Sequence, residues 1–237
     1  MTNPKIVLLY YDLVEELTNG GMGEKEKLMS DFRYVTKAEY LDALEDLKAL
    51  IHKVQDEVRD EFTFRYDFIG SVARHMVTMD YDSNIGYDFD IDLRVNDDDQ
   101  NYSAEDIKCI LKNAFDKFNH LFKYDYAEDS TRVLTIKVKD KQHSKILHSA
   151  DFAVVYDCSD GRQQYIHFNK KQKSYEWQYQ PKAYYELAER VSLIKRHDLW
   201  QDVRNLYINK KNNNPMNKKS RALFAETINE VYQQNFE

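Results

Sequence analysis

The stretch FRYDFIGSVARHMVTMDYDSNIGYDFDIDLRV, residues 64–95, decides the fold that this sequence predicts. An apolar run ends at Gly70-Ser71, and three aspartates follow at alternate positions: Asp88, Asp90 and Asp92. Successive side chains of a strand point to opposite faces. The aspartates therefore share one face, and the other carries Phe89, Ile91, Leu93 and Val95. Crowded like charges are unfavourable unless a cation neutralises them, so this face is a candidate metal site.

Bulk composition sets the class of protein. The chain has 237 residues, enough for one sizeable domain or for a domain with a helical appendage. It is 42% hydrophobic and 32% charged, which is typical of a soluble globular protein. The net charge of −7 argues against a strongly basic nucleic-acid platform.

Cysteine usage and the N-terminal apolar run indicate a compartment. The two cysteines, Cys109 and Cys158, cannot form a disulfide framework and lie in no C-x-x-C motif, which disfavours a thiolate zinc site. The apolar run at residues 6–11 is too short to span a bilayer. With no small-residue cleavage site after that run, we expect no signal peptide, a cytoplasmic location and no membrane partner.

Capping motifs and periodicity place the other elements. The capping box at Thr36-Lys-Ala-Glu39 predicts a helix over 37–60, and a second box at Ser103 predicts a helix of about four turns. Alternation predicts strands over 62–68, 88–95, 132–138, 146–155 and 165–168, with a short helix at 72–76. Apolar stripes predict three helices after Pro181, while 78–87 and 210–219 are interpreted as a loop and a polar linker.

A single acid inside a later apolar strand completes the pattern. Asp151 lies between Ala150 and Phe152, where an acid is rarely buried unpaired. One explanation of this buried acid is purely structural: a buried salt bridge, for which Arg132 is the available partner. The alternative explanation is a third acid for the site of the aspartate ladder.

Together these motifs resemble the nucleotidyltransferase superfamily, which includes polymerase beta, the CCA-adding enzymes, the antibiotic nucleotidyltransferases and the cGAS/DncV-like synthases. The pattern of that superfamily is an apolar-Gly-Ser turn, an Asp-x-Asp strand and a third acid on a later strand. Here it is matched by Phe68-Ile69-Gly70-Ser71, by Phe89-Asp90-Ile91-Asp92-Leu93 and by Ala150-Asp151-Phe152. The resemblance covers roughly residues 36–170.

The resemblance implies an α/β (α+β) fold. It predicts a mixed or antiparallel sheet backed by helices, with a C-terminal helical part closing over the nucleotide. The corresponding division of the chain is an N-terminal segment at 1–35 that packs on the core, a catalytic core at 36–172 and a helical region at 173–237.

The resemblance also implies an enzyme. The reaction is transfer of a nucleoside monophosphate from an NTP, such as ATP, to an acceptor hydroxyl with release of pyrophosphate. Its implied cofactors are two Mg²⁺ ions, which Mn²⁺ can replace. The acceptor stays open among an RNA end, a protein side chain, a small molecule and a second nucleotide.

Residue roles follow from the same resemblance. Asp90, Asp92 and Asp151 are the expected catalytic metal ligands, and the expected phosphate-binding residues are Gly70, Ser71 and Arg74. Lys195 and Arg196 are further candidates for triphosphate contacts. The pair Asp88/Asp90 is an alternative to Asp90/Asp92; we prefer the latter because an apolar flank follows Asp92, as the superfamily pattern asks.

Three other interpretations are weaker. Asp80, Asp82 and Asn84 have the spacing of a calcium loop, but Ile85 and Ile91 occupy its two diagnostic positions. His143 and His148 lack an evident third zinc ligand. A non-catalytic binding or toxin–antitoxin module on the same fold is the rival from another functional class.

Overall fold

The computed structural model describes residues 30–97 and 101–237. The apolar run at residues 6–11, and with it most of the N-terminal segment predicted to pack on the core, lies outside these ranges. The described residues form six α-helices, a large sheet and a smaller two-stranded sheet.

The elements follow one another in a mixed order. The helices are α1 (Lys37–Val58), α2 (Gly70–Ala73), α3 (Ala104–Phe118), α4 (Lys182–Arg196), α5 (Trp200–Asn212) and α6 (Ser220–Phe236), with a 3₁₀ turn at Asn119–Phe122. The strands are β1 (Phe32–Tyr34), β2 (Thr63–Ile69), β3 (Thr78–Asp80), β4 (Ile85–Asn96), β5 (Glu128–Asp129), β6 (Val133–Asp140), β7 (Lys145–Asp157), β8 (Gln163–Asn169) and β9 (Ser174–Tyr179).

The large sheet has seven strands. Its order is β2-β4-β7-β6-β5, and β8 pairs with the end of β7 and carries β9 on its far side. Within the described residues, β4 and β7 form the one parallel pair, and the other pairs are antiparallel. This mixed sheet confirms the predicted fold class.

One face of this sheet carries the main core. Helices α1 and α3 pack there, because each presents one apolar stripe at helical spacing. Both predicted capping boxes are present, at Thr36/Glu39 and Ser103/Asp106. The strand β4 contributes the four apolar residues of the ladder, which are at most 6% exposed: Phe89, Ile91, Leu93 and Val95. The aspartates of the ladder therefore point to the opposite face.

A second, smaller core joins the C-terminal helices. It combines side chains of α4, α5 and α6 with Met76, which follows the short helix α2. Met76 is only 2% exposed, so the segment after Gly70-Ser71 is anchored in the helical part of the chain. The turn at the end of β2 thus lies between the sheet and the C-terminal helices.

Several elements differ from the predictions. The predicted loop at 78–87 contains β3 and the first residues of β4, because residues 78–80 pair with the three-residue strand β1. The last linker starts later than predicted, since α5 continues to Asn212. The strand β9 is an element that the sequence pattern does not predict, and through its pairing with β8 the sheet continues past residue 172 to Tyr179.

The helices of the described chain are too short or too polar for a membrane span. Within residues 30–97 and 101–237, no helix combines the length and the apolar character needed to cross a bilayer.

Candidate active site

Three carboxylates meet on the face of the sheet opposite the main core. Asp90 of β4 lies directly beside Asp151 of β7 in the parallel ladder, and Asp88 precedes Asp90 on the same face of β4. One oxygen from each of these carboxylates lies within 4.8 Å of the others. Two acids from separate chain segments are thereby brought together with a third, and their carboxylate oxygens are the ligand type that Mg²⁺ prefers.

Each carboxylate has its own hydrogen-bond donor. Thr135, directly opposite Asp151 in the ladder between β6 and β7, donates from Oγ1 to Oδ1 of Asp151 at 2.5 Å. Ser149, directly opposite Asp88, donates from Oγ to Oδ1 of Asp88 at 2.7 Å. The backbone N–H groups of Ser71 and Phe89 donate to Asp90 and Asp88 respectively.

The Gly70-Ser71 turn touches the acid cluster. Gly70 has a φ of +61°, and a Cβ built on it would lie 2.0 Å from Oδ2 of Asp90. A side chain at this position would combine a left-handed backbone with a direct clash. Glycine therefore allows the turn to approach the carboxylate of Asp90.

The negative charge of the cluster is only partly balanced: Arg74, Arg221 and Lys137 act on it, but the pKa values of its carboxylates are still raised. Burial, and after it the charges of Asp151 and Asp90, raise the pKa of Asp88 to about 7. Burial, and then the charge of Asp151, also raise the pKa of Asp90, and burial raises that of Asp151. Carboxylate pKa values that are raised by burial together with a neighbouring like charge are typical of functional sites.

Asp92 lies outside this cluster. It is on the same face of β4 but further along the strand, beside Asp67 of β2 and Ala153 of β7. It is 4% exposed, burial raises its pKa to about 6, and Nη2 of Arg94 is 3.9 Å from its Oδ2. Of the two pairs weighed from the sequence, the structure brings Asp88/Asp90 together with Asp151.

Arg74 lies where the sheet meets the C-terminal helices. Its guanidinium stacks 3.9 Å from the ring centroid of Phe224 in α6. Burial lowers its pKa, whereas attraction to Asp90 raises it and the charge of Arg221 lowers it. Arg221 in turn acts on Asp90, so two cations flank this carboxylate. At the same end of α6, Ser220 is hydrogen-bonded to Tyr207.

Arg221 and Ser220 were missed by sequence reasoning. They lie far along the chain from the aspartates, at the start of the last of the predicted C-terminal helices. A charged residue beside a polar linker carries no sequence signal of its position in space. The sequence does indicate that a helix begins near these residues, but the orientation of that helix depends on how it packs in the second core.

Other residues singled out in the sequence have different environments. Arg132 stacks on the ring of Tyr165 at 4.3 Å and donates to its hydroxyl, so it is not the partner of Asp151. Lys195 packs against the ring of Trp200, and Arg196 is exposed at the end of α4. His148 stacks on Tyr87 and burial lowers its pKa to about 4.

Comparisons with known proteins give structural relatives only. No family model matches the chain, and no curated protein matches it in sequence. DncV of Vibrio cholerae bound to 3′-deoxy ATP matches with a TM-score of 0.53 at 15% identity, over 79% of this chain and 50% of that one. The CdnE c-di-GMP synthase of Capnocytophaga granulosa matches with a TM-score of 0.53 at 15% identity. The match covers 86% of this chain and 64% of that one.

These relatives establish the fold. Both are cGAS/DncV-like nucleotidyltransferases, so the fold predicted from the Gly-Ser turn, the aspartate ladder and the later acid is confirmed. The chain spans half the length of DncV and 64% of that of CdnE. At this level of identity the likeness carries no residue roles, and these are inferred from the geometry of the chain itself.

Proposed function

We propose that this protein is a metal-dependent nucleotidyltransferase. It moves a nucleoside monophosphate from an NTP to an acceptor hydroxyl and releases pyrophosphate. The observation that carries the proposal is the convergence of Asp88, Asp90 and Asp151 beside the Gly70-Ser71 turn on a nucleotidyltransferase fold. A binding module with this fold has no need for three crowded acids, none of which forms an ion pair with a side chain of the described residues.

The donor set fits divalent metal ions. Three carboxylates and no nitrogen or sulfur ligand favour Mg²⁺ or Mn²⁺ over softer metals. In this proposal Asp88, Asp90 and Asp151 would hold the ions; Asp88 thus takes the place that the sequence pattern assigned to Asp92. Bound there, the ions would neutralise charge on the attacking oxygen and on the leaving pyrophosphate.

The triphosphate end of the donor lies beside the turn and the start of α6. The backbone of Gly70-Ser71 offers N–H groups, and Arg74 and Arg221 offer positive charge near Asp90. The exposed N-terminal turn of α6 adds further N–H donors and a favourable dipole. Phosphate binding at this place would link the sheet to the helical part of the chain.

The chemical step follows from this arrangement. The oxygen of the acceptor hydroxyl attacks the α-phosphorus and forms a new P–O bond. The bond between the α-phosphorus and the oxygen that bridges it to the β-phosphate breaks, and pyrophosphate leaves with that electron pair toward Arg74 and Arg221. The proton of the hydroxyl passes to the carboxylate of Asp151.

A second nucleotide is our first choice of acceptor. DncV has been solved with the linear intermediate 5′-pppA(3′,5′)pG, at a TM-score of 0.51 and 15% identity. In that protein one nucleotide is joined to another. We therefore place nucleotide acceptors ahead of an RNA end, a protein side chain and other small molecules.

The test is pyrophosphate release by the full chain. We expect release from at least one NTP, or from a pair of NTPs, only when Mg²⁺ or Mn²⁺ is present. Asp90→Asn and Asp151→Asn should be silent under the same conditions. Asp67→Asn is the matched control, because Asp67 is an aspartate on the same face that pairs with Arg94 instead of joining the cluster.

Two outcomes would reverse the proposal. If the wild-type protein is silent with every NTP, alone, in pairs and with pooled RNA and protein acceptors, the non-catalytic module is the better explanation. If Asp90→Asn retains the wild-type rate, the release does not come from this site.

A further inference from the structure

The hydroxyls of Thr135 and Ser149 donate hydrogen bonds to two carboxylates of the acid cluster. Each belongs to the residue directly opposite a clustered aspartate in the sheet, and each donates to the Oδ1 of that aspartate. The sheet thus supplies a donor from β6 to the carboxylate on β7, and one from β7 to the carboxylate on β4. Ladder register, and not a flexible loop, fixes both contacts.

The two hydroxyls orient the carboxylates without neutralising them. Lys137 of β6 lowers the pKa of Asp151 through its charge, but its ammonium forms its ion pair with Glu128, at 2.5 Å, and not with Asp151. A hydroxyl bond to one oxygen holds the carboxylate in one rotamer even while repulsion from its neighbours favours turning it away. The carboxylates therefore face one another before any ion arrives.

The contacts also limit how each carboxylate binds an ion. With Oδ1 accepting a hydrogen bond, the remaining oxygen is the one best placed to coordinate, so that binding through both oxygens is disfavoured. Mg²⁺ and Mn²⁺ accept such single-oxygen carboxylates in compact octahedral sites. Ca²⁺ takes six to eight oxygens and often binds both oxygens of one carboxylate.

We propose that Thr135 and Ser149 are positioning residues that hold Asp151 and Asp88 as single-oxygen ligands, and that they thereby select Mg²⁺ or Mn²⁺ over Ca²⁺. The inference rests on the proposed metal-dependent function. It assigns to the two hydroxyls a role in ion selectivity, which is separate from the role of the carboxylates in binding.

The test measures ion binding to the metal-free full-length protein without nucleotide. Mn²⁺ is titrated and its free concentration followed by electron paramagnetic resonance, and Ca²⁺ is then added as competitor. Thr135→Val keeps the shape and removes the donor, Ser149→Ala does the same on β7, and Thr135→Ser restores a hydroxyl. We expect the double variant to bind Mn²⁺ roughly 10- to 100-fold more weakly, which is typical when partners of metal ligands are removed.

The distinguishing readout is the ratio of the two affinities. Ca²⁺ binding should weaken less than Mn²⁺ binding in the double variant, so the preference for Mn²⁺ narrows by about tenfold. Thr135→Ser should keep most of the wild-type ratio. Each single variant should shift the ratio of Mn²⁺ to Ca²⁺ affinity in the same direction but by less. The single variants replace the double variant in this test if the double variant does not fold.

Matched substitutions elsewhere provide controls. Thr63→Val removes a hydroxyl that accepts a hydrogen bond from Asn96 at the opposite end of β2, and Ser83→Ala removes one in the turn before β4. Neither should change the affinity ratio. A merely structural loss of hydroxyls would move stability in these variants as well, without moving the ratio.

The outcomes separate this inference from the proposed function. If the wild-type protein releases pyrophosphate but the double variant keeps the wild-type preference for Mn²⁺ over Ca²⁺, the positioning role is wrong and the function stands. If the wild-type protein binds neither ion without nucleotide, the two hydroxyls do not prepare a site and this inference is wrong; the metal-dependent function is wrong only if pyrophosphate release does not require the ion.

Discussion

Two groups of acids share one face of the sheet and differ in what neutralises them. In the first, Asp88, Asp90 and Asp151 face one another, and no side chain of the described residues forms an ion pair with them. In the second, Asp67, Asp92 and Asp157 surround one guanidinium. Nε of Arg94 lies 2.5 Å from Asp67, and its Nη1 lies 2.7 Å from Asp157.

The two groups of acids also differ in the pKa values of their members. Burial opposes ionisation of Arg94, but hydrogen bonds to Asp67 and Asp157 raise its pKa. Burial likewise opposes ionisation of Asp157, yet bonds from Gln163 and Arg94 lower its pKa. In the first group all three carboxylate pKa values are raised. In the second group the pKa of Asp92 is raised as well, to about 6, because Asp92 is buried and Arg94 approaches it only to 3.9 Å. An acid cluster that forms ion pairs with an arginine is a structural network, whereas a cluster that cations approach without pairing is prepared for a metal ion from solution.

The largest expected contrast is catalytic. In Asp88→Asn we expect pyrophosphate release to fall by roughly a thousandfold, because loss of a metal ligand removes several kcal/mol of charge stabilisation. In Asp92→Asn the rate of pyrophosphate release should stay within about tenfold of wild type, since Asp92 lies near Arg94 and outside the cluster. Steady-state rates of both variants decide between the two pairs. A silent Asp92→Asn beside an active Asp88→Asn would restore the pair first preferred from the sequence.

The next contrast is in stability. Removing the guanidinium in Arg94→Met leaves Asp92 buried with its charge unpaired, and we expect a loss of about 3 kcal/mol in the free energy of unfolding. Asp67 and Asp157 are about half exposed and add little. Urea unfolding measures the loss. Arg65→Met, at an exposed position of the neighbouring strand, is the control; equal losses in both variants would contradict a network centred on Arg94.

A smaller effect is expected at the turn. In Gly70→Ala the left-handed backbone costs about 1–2 kcal/mol, and the clash with Asp90 must displace its carboxylate. Gly161→Ala is a matched control, because Gly161 has a φ of +79° but a Cβ added there would meet no atom within 4 Å. Both variants should lose stability by urea unfolding, but only Gly70→Ala should lose Mn²⁺ binding. Unchanged Mn²⁺ binding would show that the turn does not position Asp90.

The smallest effect concerns pH. The folded pKa of Asp88 is about 7 against an ordinary value of 3.8, so between these values the folded state binds more protons than the unfolded state. Stability of the metal-free protein should therefore fall as pH rises from about 4 to about 7. Asp88→Asn should flatten this slope, by roughly 3 °C in melting temperature across the window if the effect is near 1 kcal/mol.

Added Mg²⁺ gives a second check on the same slope. An ion that binds the ionised cluster stabilises the folded state most at high pH. The melting temperature of the wild-type protein should then depend less on pH, while Asp88→Asn should respond weakly to the ion. A slope that is identical in wild type and variant, with and without Mg²⁺, would contradict a cluster whose negative charge is only partly balanced.

Much of the fold could be predicted from the sequence. Alternation in β4 fixed which residues are buried, and the capping boxes fixed where α1 and α3 begin, because both signals are local. The fold followed from a resemblance built on three motifs in the correct order. Short strands such as β1 and β3 escaped prediction, since three residues are too few to show a period.

The choice between Asp88 and Asp92 could not be made from the sequence alone. It depends on the register of β4 against β7, which places Asp151 beside Asp90 and Asp92 beside Ala153. An apolar flank reports that a residue lies in a strand but says nothing about its neighbour across the ladder. The position of Arg221 near Asp90 was likewise hidden, because it depends on how Phe224 of α6 packs against Arg74.

The parallel pairing of β4 with β7 has a consequence for sequence change. Asp90 and Asp151 stay level because a constant offset relates the two strands over nine paired positions. One residue inserted within either strand would rotate every later side chain to the opposite face and bury an acid among phenylalanines.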